Sequence, residues 1–282
     1  MEAVYKLLRS VKVLPPSPQV LPKVLDALRH EQTTLEEVGE LIALDPVLTA
    51  KLLHYCNSVY FSGREPVSSV PEAIGRVGFQ TIFALVSAVS GGRSFTPPAE
   101  SGVDGTQLWK HSLTTAFGCK FIAEDINEDG NLLFTAGLLH DIGRVVLAQA
   151  KGAEYGKLLA EAVAAGADTT EREKTAYGFT HADVGACLME SWKLPMQLVW
   201  AVRFHHHPAV AGGAKKTAAA VCVGNALAHG FEHPADTSIN SDTNAELYRA
   251  LEILGLNNRH MEIYDEQMQE NWEFVNALIQ MR

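Results

Sequence analysis

The amino-acid sequence predicts an all-α protein. Helix-starting patterns recur along the chain, whereas runs of alternating or β-branched residues that would indicate strands are scarce. Thr34 and Glu37 have the spacing of a capping box, and Pro71 stands where proline commonly opens a helix. Leu48 and Leu52 form an apolar stripe one helical turn apart. These patterns favour a helical bundle over any fold that contains a sheet.

The predicted helices follow one another with short connections. Thr180 and Asn131 are predicted N-caps, Asp45 is predicted to cap a helix that starts at Pro46, and Pro195 is predicted to open a helix. In chain order the predicted helices start at or span 34–44, 46, 71–78, 79–89, 108–119, 131 through the LLHDIG segment, 157–165, 181–192, 195–207, 217–229, 244–254 and 264–280.

Composition limits the classes of function. The chain has 282 residues, of which 47% are hydrophobic, so it can bury a sizeable core. Its formal net charge is −10, and the acidic residues are spread along the chain. Because phosphate neutralisation requires a basic face, we expect no DNA partner.

The cysteines and the N-terminus predict a cytoplasmic location. Four cysteines lie far apart without CxxC spacing, which is typical of buried reduced thiols rather than of a disulfide framework: Cys56, Cys119, Cys187 and Cys222. The N-terminal residues lack the apolar core of a signal peptide. The best apolar run, 82–89, is too short to cross a bilayer, so we expect no membrane contact.

A segment rich in glycine, proline and serine, 91–105, is the best candidate for a linker. It predicts an N-terminal helical lobe at 1–92, a linker at 93–105 and a second helical lobe at 106–282. No internal repeat or low-complexity tract accompanies this division.

The segment LLHDIG places His140 directly before Asp141 inside an otherwise apolar run. Adjacent residues on a helix point about 100° apart, so both side chains can reach an ion that lies over the seam between them. An imidazole nitrogen and a carboxylate oxygen suit a divalent transition metal, namely iron, manganese, nickel or zinc. Two ligands do not hold an ion firmly, and the remaining ligands must come from other helices.

Four further histidines are candidates for those ligands. His111 shares a predicted helix face with apolar residues, His181 lies in the first turn of a helix, and His205 and His206 close another helix. Together with His140 and Asp141 they would suffice for one six-coordinate ion or for a pair of ions. The other histidines are assigned to the core or the surface: His30, His54, His229, His233 and His260.

Each candidate also has an interpretation without metal. An inward histidine such as His111 is more often a hydrogen-bonded core residue, and the 140–141 doublet fits an internal hydrogen bond equally well. His181 fits an ordinary first-turn residue, and the histidines at 205–207 fit a solvated helix end. The joint occurrence of the six residues is what favours a metal site.

The order of these residues resembles that of the HD superfamily of metal-dependent phosphohydrolases, in particular its HD-GYP branch. Over most of its length the chain looks more like an HDOD protein, the HD-related output domain of bacterial signalling. The segments that carry the resemblance are LPPSPQVLPKVL, LIALDPVLTAKLLHYCNSVYF, VSSVPEAIGRVGFQTI, LWKHS, GLLHDIGRVVLA and THADVGACLMESWKLPMQLVWAVRFHHHP. The resemblance implies an HD-like helical bundle behind an N-terminal helical lobe.

By position, the resemblance assigns metal ligation to His111, the His140–Asp141 doublet and His181, and also to the pair at 205–206. Three departures count against hydrolysis. The family's last metal-binding aspartate falls on Asn225, a weaker and neutral ligand. Arg144 replaces the lysine of the HDIGK pattern, and no GYP loop follows the histidines.

Three hypotheses follow. We favour a signalling module that acts through a partner protein, with one or two ions in a structural or sensory role. The second hypothesis is a metal-dependent phosphohydrolase acting on a nucleotide or cyclic dinucleotide, with Asp141 as a ligand and Arg144 on the phosphate. The third is a scaffold without metal, in which the histidines bond one another. A nucleotide therefore stays open as a ligand.

Overall fold

The computed structural model describes residues 2–11, 14, 23–24, 27, 33–43, 46–57, 67–92, 96–232 and 241–280. Within these ranges every regular element is helical, which confirms the predicted all-α class. The α-helices are α1 (Glu2–Ser10), α2 (Leu35–Ala43), α3 (Pro46–Cys56), α4 (Val70–Val77), α5 (Phe79–Gly92), α6 (Gly105–Ile126), α7 (Gly130–Leu139), α8 (Ile142–Lys151), α9 (Ala153–Ala164), α10 (Thr169–Tyr177), α11 (His181–Ser191), α12 (Met196–Phe204), α13 (Lys215–Glu232), α14 (Ser241–Leu254), α15 (Asn258–Glu270) and α16 (Trp272–Ile279).

The chain divides into two compact units. Unit 1 comprises Met1–Pro15 and Phe95–Val275, and unit 2 comprises Pro16–Ser94 and Asn276–Arg282. The N-terminal helix α1 belongs to unit 1, where it packs against α8 and α11 and the Tyr5 hydroxyl donates a hydrogen bond to the Glu190 carboxylate. The predicted division into an N-terminal lobe (1–92), a linker (93–105) and a second lobe (106–282) stays a prediction.

Part of the predicted linker is packed against unit 1. Residues Ala99–Ser101 form a 3-10 turn, and Ser101 is buried. The turn lies so close to α9 that a Cβ added at Gly156 would fall 1.9 Å from the Ser101 carbonyl oxygen. Composition alone predicts a linker here and does not reveal this packing, because Gly, Pro and Ser are common in connections and in tight turns alike.

Helix α6 forms the centre of unit 1, where it packs mainly against α7 and α13. The Phe117 ring meets the edge of Phe134 at 5.3 Å between centroids and that of Phe274 at 5.7 Å. Edge-to-face pairs of this kind are favourable beyond the area they bury. This central helix also carries His111, so the core and the candidate site share one element.

Several predicted helix starts are confirmed and others are corrected. Thr34 and Glu37 form the predicted capping box, and so does Thr180 with its partner three residues on. Asp129, not Asn131, caps α7, because its carboxylate reaches two backbone N–H groups at the helix start. The predicted cap Asp45 lies outside the described residues, as does most of LPPSPQVLPKVL.

The structure corrects the predicted helices at several points. The predicted helix 264–280 is two helices separated at Asn271. Helix α10 was not predicted, because its residues are mostly polar and lack an apolar stripe. The LLHDIG segment is not one continuous helix: α7 ends at Leu139, α8 begins at Ile142, and the His140–Asp141 doublet forms the junction.

The stretch Gly130–Lys151 contains the one segment among the described residues that is long and apolar enough to cross a membrane. However, 89% of its most apolar window is buried inside the protein. The same apolarity is expected of core helices. All four cysteines are free thiols, and Cys222 is only partly buried, in contrast to the prediction that all four are buried.

A close helix crossing generates the first prediction. A Cβ added at Gly143 on α8 would lie 2.0 Å from the His181 carbonyl oxygen and 2.7 Å from the Gly185 nitrogen on α11. Because backbone atoms cannot retreat as a flexible side chain can, Gly143→Ala should force α8 and α11 apart. We expect it to lower the free energy of unfolding by about 1–3 kcal/mol, measured by denaturant titration.

Gly230→Ala is the matched control. Gly230 lies in α13 of the same unit and has no atom within 4 Å of an added Cβ. Alanine is the better helix former, so this variant should be neutral or slightly stabilising. Equal losses in both variants would contradict the close-packing explanation.

Candidate metal centre

The centre is built around the junction between α7 and α8. His140 is the C-cap residue of α7, and Asp141 is the N-cap residue of α8. The backbone of Asp141, with φ −102° and ψ 10°, separates the two helices. Asp141 makes no side-chain cap hydrogen bond to α8. Its carboxylate is therefore available to groups that arrive from other helices.

The other predicted ligands arrive on three helices. His111 lies on α6, His181 is the first residue of α11, and His205 and His206 follow the end of α12. The rings form a connected chain: the centroid distances are 5.3 Å from His111 to His140, 5.1 Å from His140 to His205 and 4.0 Å from His205 to His206. All six predicted residues thus lie in one cluster, and whether they bind metal stays a prediction.

The cluster contains two groups of ligands. Subsite A consists of His181, His205 and His206, with Asp141 Oδ1 lying 3.0 Å from His181 Nε2. Subsite B consists of His111, His140 and Asp141, whose Oδ2 atom lies 3.6 Å from His140 Nε2. The ligand atoms lie within 4.8 Å of one another in the group His181, His205 and His206, and likewise in the group His111, His140 and Asp141. Asp141 is the residue that the two subsites share.

Several ligand atoms are buried and lack a hydrogen bond. His140 Nδ1 donates to the Gly137 carbonyl at 2.7 Å, and His205 Nδ1 donates to the Val202 carbonyl at 2.6 Å. These bonds leave each Nε2 as an unprotonated acceptor, and both Nε2 atoms are buried without a hydrogen-bond partner. Asp141 Oδ1 is likewise not hydrogen-bonded, although it lies at ion-pair distance from His181. Buried bare acceptors that converge in this way fit a cation.

His181 is held by a carboxylate that sequence analysis missed. Glu173 on α10 is fully buried and accepts from the His181 backbone N–H at 2.7 Å and from its Nδ1 at 2.8 Å. The Tyr155 hydroxyl donates to the other Glu173 oxygen at 2.7 Å. A carboxylate behind a histidine is the arrangement that orients metal-binding imidazoles. Nothing local distinguishes Glu173 from its exposed neighbour Glu171, so no sequence signal marked it.

His111 has two further partners at the edge of subsite B. Its Nδ1 lies 3.0 Å from Glu232 Oε2, and its Nε2 lies 2.8 Å from Asn225 Oδ1. Asn225 therefore does stand beside a candidate ligand, as the position of the family's aspartate implied. His229, assigned above to the core or surface, lies against His111 with 4.5 Å between ring centroids.

The charges of the cluster suit ligation. Burial and the neighbouring His181 lower the pKa of His205 to about 4, and burial lowers the pKa of His140 and of His206 well below the ordinary value. Burial would raise the pKa of Asp141, but the charges of Arg144 and the adjacent histidines hold it well below its usual range. At neutral pH these groups therefore present bare nitrogens and a carboxylate.

His181 differs from the other histidines. Burial would lower its pKa, but the Glu173 and Asp141 carboxylates raise the pKa to about 9. Without metal its ring is therefore protonated at neutral pH. An ion that binds at His181 must displace this proton, so metal uptake releases protons.

Arg144, the candidate phosphate ligand, is engaged with the centre itself. Its Nε lies 2.7 Å from Asp141 Oδ2, one helical turn back along the chain. The side chain is 18% exposed. The guanidinium thus acts first as the counter-ion of Asp141.

Comparison with known proteins shows the family of the chain. The model of the HDOD domain family matches residues 14–208, which is more than half of the chain. The chain belongs to the HDOD family. The segments that carried the resemblance in the sequence lie almost entirely within the matched residues of this HDOD domain.

Three solved structures resemble the HDOD protein over nearly its whole length. A "Putative phosphohydrolase" from Shewanella amazonensis is 27% identical, with a TM-score of 0.72 and coverage of 98% of this chain and 97% of that one. An HDOD domain protein with unknown function from Geobacter sulfurreducens is 22% identical (TM-score 0.73, coverage 99% and 96%). A "Putative signal transduction protein" from Marinobacter aquaeolei is 20% identical (TM-score 0.78, coverage 99% and 65%). The last two show the fold alone.

A curated relative, an uncharacterized protein from Treponema pallidum, is 26% identical over 196 residues. The match covers 69% of this chain but only 38% of the relative. The HDOD chain therefore spans well under half of the curated relative that it matches.

The carboxylate behind His181 generates the second prediction. Glu173→Gln keeps the size of the side chain but removes the charge that favours Nδ1–H and a basic Nε2. We expect metal affinity to fall by about 10–100-fold, measured by titration calorimetry on chelator-treated protein. Glu171→Gln, an exposed position on the same helix, is the control and should bind as the wild type does. Equal affinity in all three proteins would show that Glu173 does not support a metal ligand.

Proposed function

We propose that this HDOD protein is a regulatory module of bacterial signalling, with a metal centre that has a structural or sensory role. The observation that carries the proposal is the pair of buried Nε2 atoms of His140 and His205, which accept no hydrogen bond and lie in one cluster with the Asp141 carboxylate. A scaffold that used these histidines only for internal hydrogen bonds would leave few such atoms unsatisfied. Four imidazoles or more with one carboxylate suit iron, manganese, nickel or zinc.

A bound ion would join elements that are distant in the sequence. The ligands come from α6, the α7–α8 junction, the start of α11 and the end of α12. Because an ion that binds only the folded state stabilises it, occupancy would fix the relative positions of these helices. The protein would then differ measurably between its loaded and metal-free forms, which is what a sensory role requires.

Helix α12 connects this centre to the surface. It ends at the candidate ligand His205, and it exposes Met196 (47%) and Trp200 (40%) one turn apart. Tryptophan and methionine are enriched where proteins bind one another. This geometry supports a protein partner whose contact depends on the position of α12. A cytoplasmic location, where such partners occur, stays a prediction.

Hydrolysis of a phosphoester is the second candidate function. It is supported by the 27% identity to the "Putative phosphohydrolase" over nearly both whole chains. Metal ions in such sites supply a hydroxide nucleophile and neutralise phosphate charge. In this chain Asp141 would be a ligand, but Arg144 is ion-paired with Asp141 rather than free for a phosphate. The ligands His140, His181 and His205 are each at most 1% exposed, which leaves a substrate little access.

Metal content is the third prediction. Protein purified without a histidine tag should contain roughly stoichiometric transition metal by elemental analysis. Removing the metal with a chelator should lower the Tm by roughly 5–10 °C, since a ligand at 100 times its Kd contributes about 2.7 kcal/mol. His205→Gln should abolish this shift, whereas His207→Gln should keep it, because His207 is an exposed neighbour outside both subsites. If the protein purifies without metal and its Tm does not change when metal is added, the result would support the scaffold hypothesis instead.

Activity assays separate the two functions, and they form the fourth prediction. We expect the metal-loaded protein not to hydrolyse p-nitrophenyl phosphate or cyclic dinucleotides above the rate of its Asp141→Asn variant, because the buried ligands and the engaged Arg144 leave no phosphate site. Turnover that requires metal and disappears in Asp141→Asn, with the helical circular dichroism unchanged, would replace the regulatory proposal by the hydrolase.

A further inference from the structure

The two oxygens of the shared aspartate face different groups. Asp141 Oδ1, on the side of subsite A, lies 3.0 Å from His181 Nε2, a nitrogen that is itself a candidate ligand. Asp141 Oδ2, on the side of subsite B, lies 3.6 Å from His140 Nε2 and 2.7 Å from Arg144 Nε. The oxygen that subsite B requires is therefore already paired with a cation.

The pairing of Arg144 with Oδ2 is fixed by local geometry. The two residues are three apart across the start of α8, so their side chains lie on the same face. A guanidinium carries its charge at every physiological pH, and the pair is largely shielded from water. An ion entering subsite B would meet this fixed positive charge at close range, where like charges repel strongly in a medium of low dielectric constant.

The far side of subsite B is also occupied. Glu232 accepts from His111 Nδ1, and Glu232 supports His111 as Glu173 supports His181. However, His111 Nε2, the nitrogen that would ligate an ion, is engaged with the Asn225 side chain at 2.8 Å. If the amide oxygen faces His111, it accepts from Nε2–H, and if the amide is flipped, its NH₂ donates to an unprotonated Nε2. In both orientations Nε2 is engaged with Asn225. Asn225 also brings no negative charge.

In subsite A the donor atoms face one another rather than an arginine or an amide. His181 Nε2 lies 3.0 Å from Asp141 Oδ1, His205 Nε2 accepts no hydrogen bond, and His181 is held from behind by Glu173. His206 completes the set, with its Nε2 at 3.1 Å from His181 Nε2. Three imidazoles and one carboxylate oxygen make a complete tetrahedral donor set for a single ion.

We propose that this protein holds one metal ion, in subsite A, and that Arg144 and Asn225 together keep a second ion out of subsite B. The inference rests on the proposed function, in that subsite A must bind metal. It also gives the regulatory role a physical basis: a lone ion ties helices together, whereas paired ions clamp both the attacking and the leaving oxygen of a phosphoester. Arg144 and Asn225, two of the three departures from the HD pattern, are thus the two that decide ion number.

Counting ions in designed variants tests the inference. Full-length, tag-free protein is stripped with chelator, dialysed against excess Mn²⁺ and analysed for bound manganese. Wild type should retain about one ion per chain. Arg144→Gln combined with Asn225→Asp should retain about two, because loss of the fixed positive charge frees Asp141 Oδ2 and the new carboxylate adds a charged ligand to subsite B. Asn225→Asp alone should bind the second ion more weakly. Asn258→Asp, an exposed position on α15, adds the same charge as a control and should stay at one.

The electron paramagnetic resonance spectrum gives an independent readout. One ion should show the hyperfine pattern of isolated Mn²⁺, and two ions sharing Asp141 should show a spin-coupled spectrum. Two coupled ions in the wild type would overturn the inference and leave the metal centre intact, and so would a double variant that is folded but holds one ion. Absence of bound metal from the wild type would instead overturn the proposed function, and the inference with it. If the double variant does not fold, the numbers of manganese ions bound by the wild type and by Asn225→Asp still test the inference.

Discussion

The structure of unit 1 depends on a buried carboxylate at a helix junction. Asp141 is 4% exposed and ionised, and an unpaired charge in that position would cost several kcal/mol. The chain compensates it from two directions, with Arg144 from the next turn of α8 and with His181 from the start of α11. Helices α8 and α11 cross closely enough for this only because glycines, Gly143 and Gly185, stand at the contact.

Around this carboxylate the imidazoles are oriented from outside. Backbone carbonyls at the ends of α7 and α12 accept from His140 and His205, and a buried glutamate accepts from His181. Each of these bonds fixes which ring nitrogen carries the proton, and so turns the other nitrogen toward the centre. The ligands are therefore arranged before any ion binds, and little reorganisation would oppose binding.

The same arrangement explains how a hydrolase-like cluster can serve regulation. A site whose ligands are almost wholly buried admits an ion more readily than a phosphoester, because an ion is much smaller and can pass through a narrower opening. Most of the candidate ligands lie at helix ends or at the α7–α8 junction, and His111 lies within α6. The exposed apolar residues of α12 lie on a helix that is directly followed by the candidate ligand His205, so the proposed regulation would connect ion occupancy to the surface through α12.

The sequence by itself determined the helical class, the capping motifs at Thr34 and Thr180, and the identity of the six clustered residues, because each leaves a local signal. It also pointed to Asn225, through its place in the family's order. Helix α10 and the split at Asn271 escaped prediction, since polar helices lack the periodicity on which prediction rests.

Only the tertiary structure decided which groups surround the cluster. Glu173 and Glu232 are ordinary acidic residues in the sequence, and their roles arise because packing brings α10 and the end of α13 against histidines far away in the chain. It likewise decided that Arg144 pairs with Asp141 Oδ2 while Oδ1 faces His181. Local patterns record what a residue can donate or accept, but long-range packing sets which partner it meets.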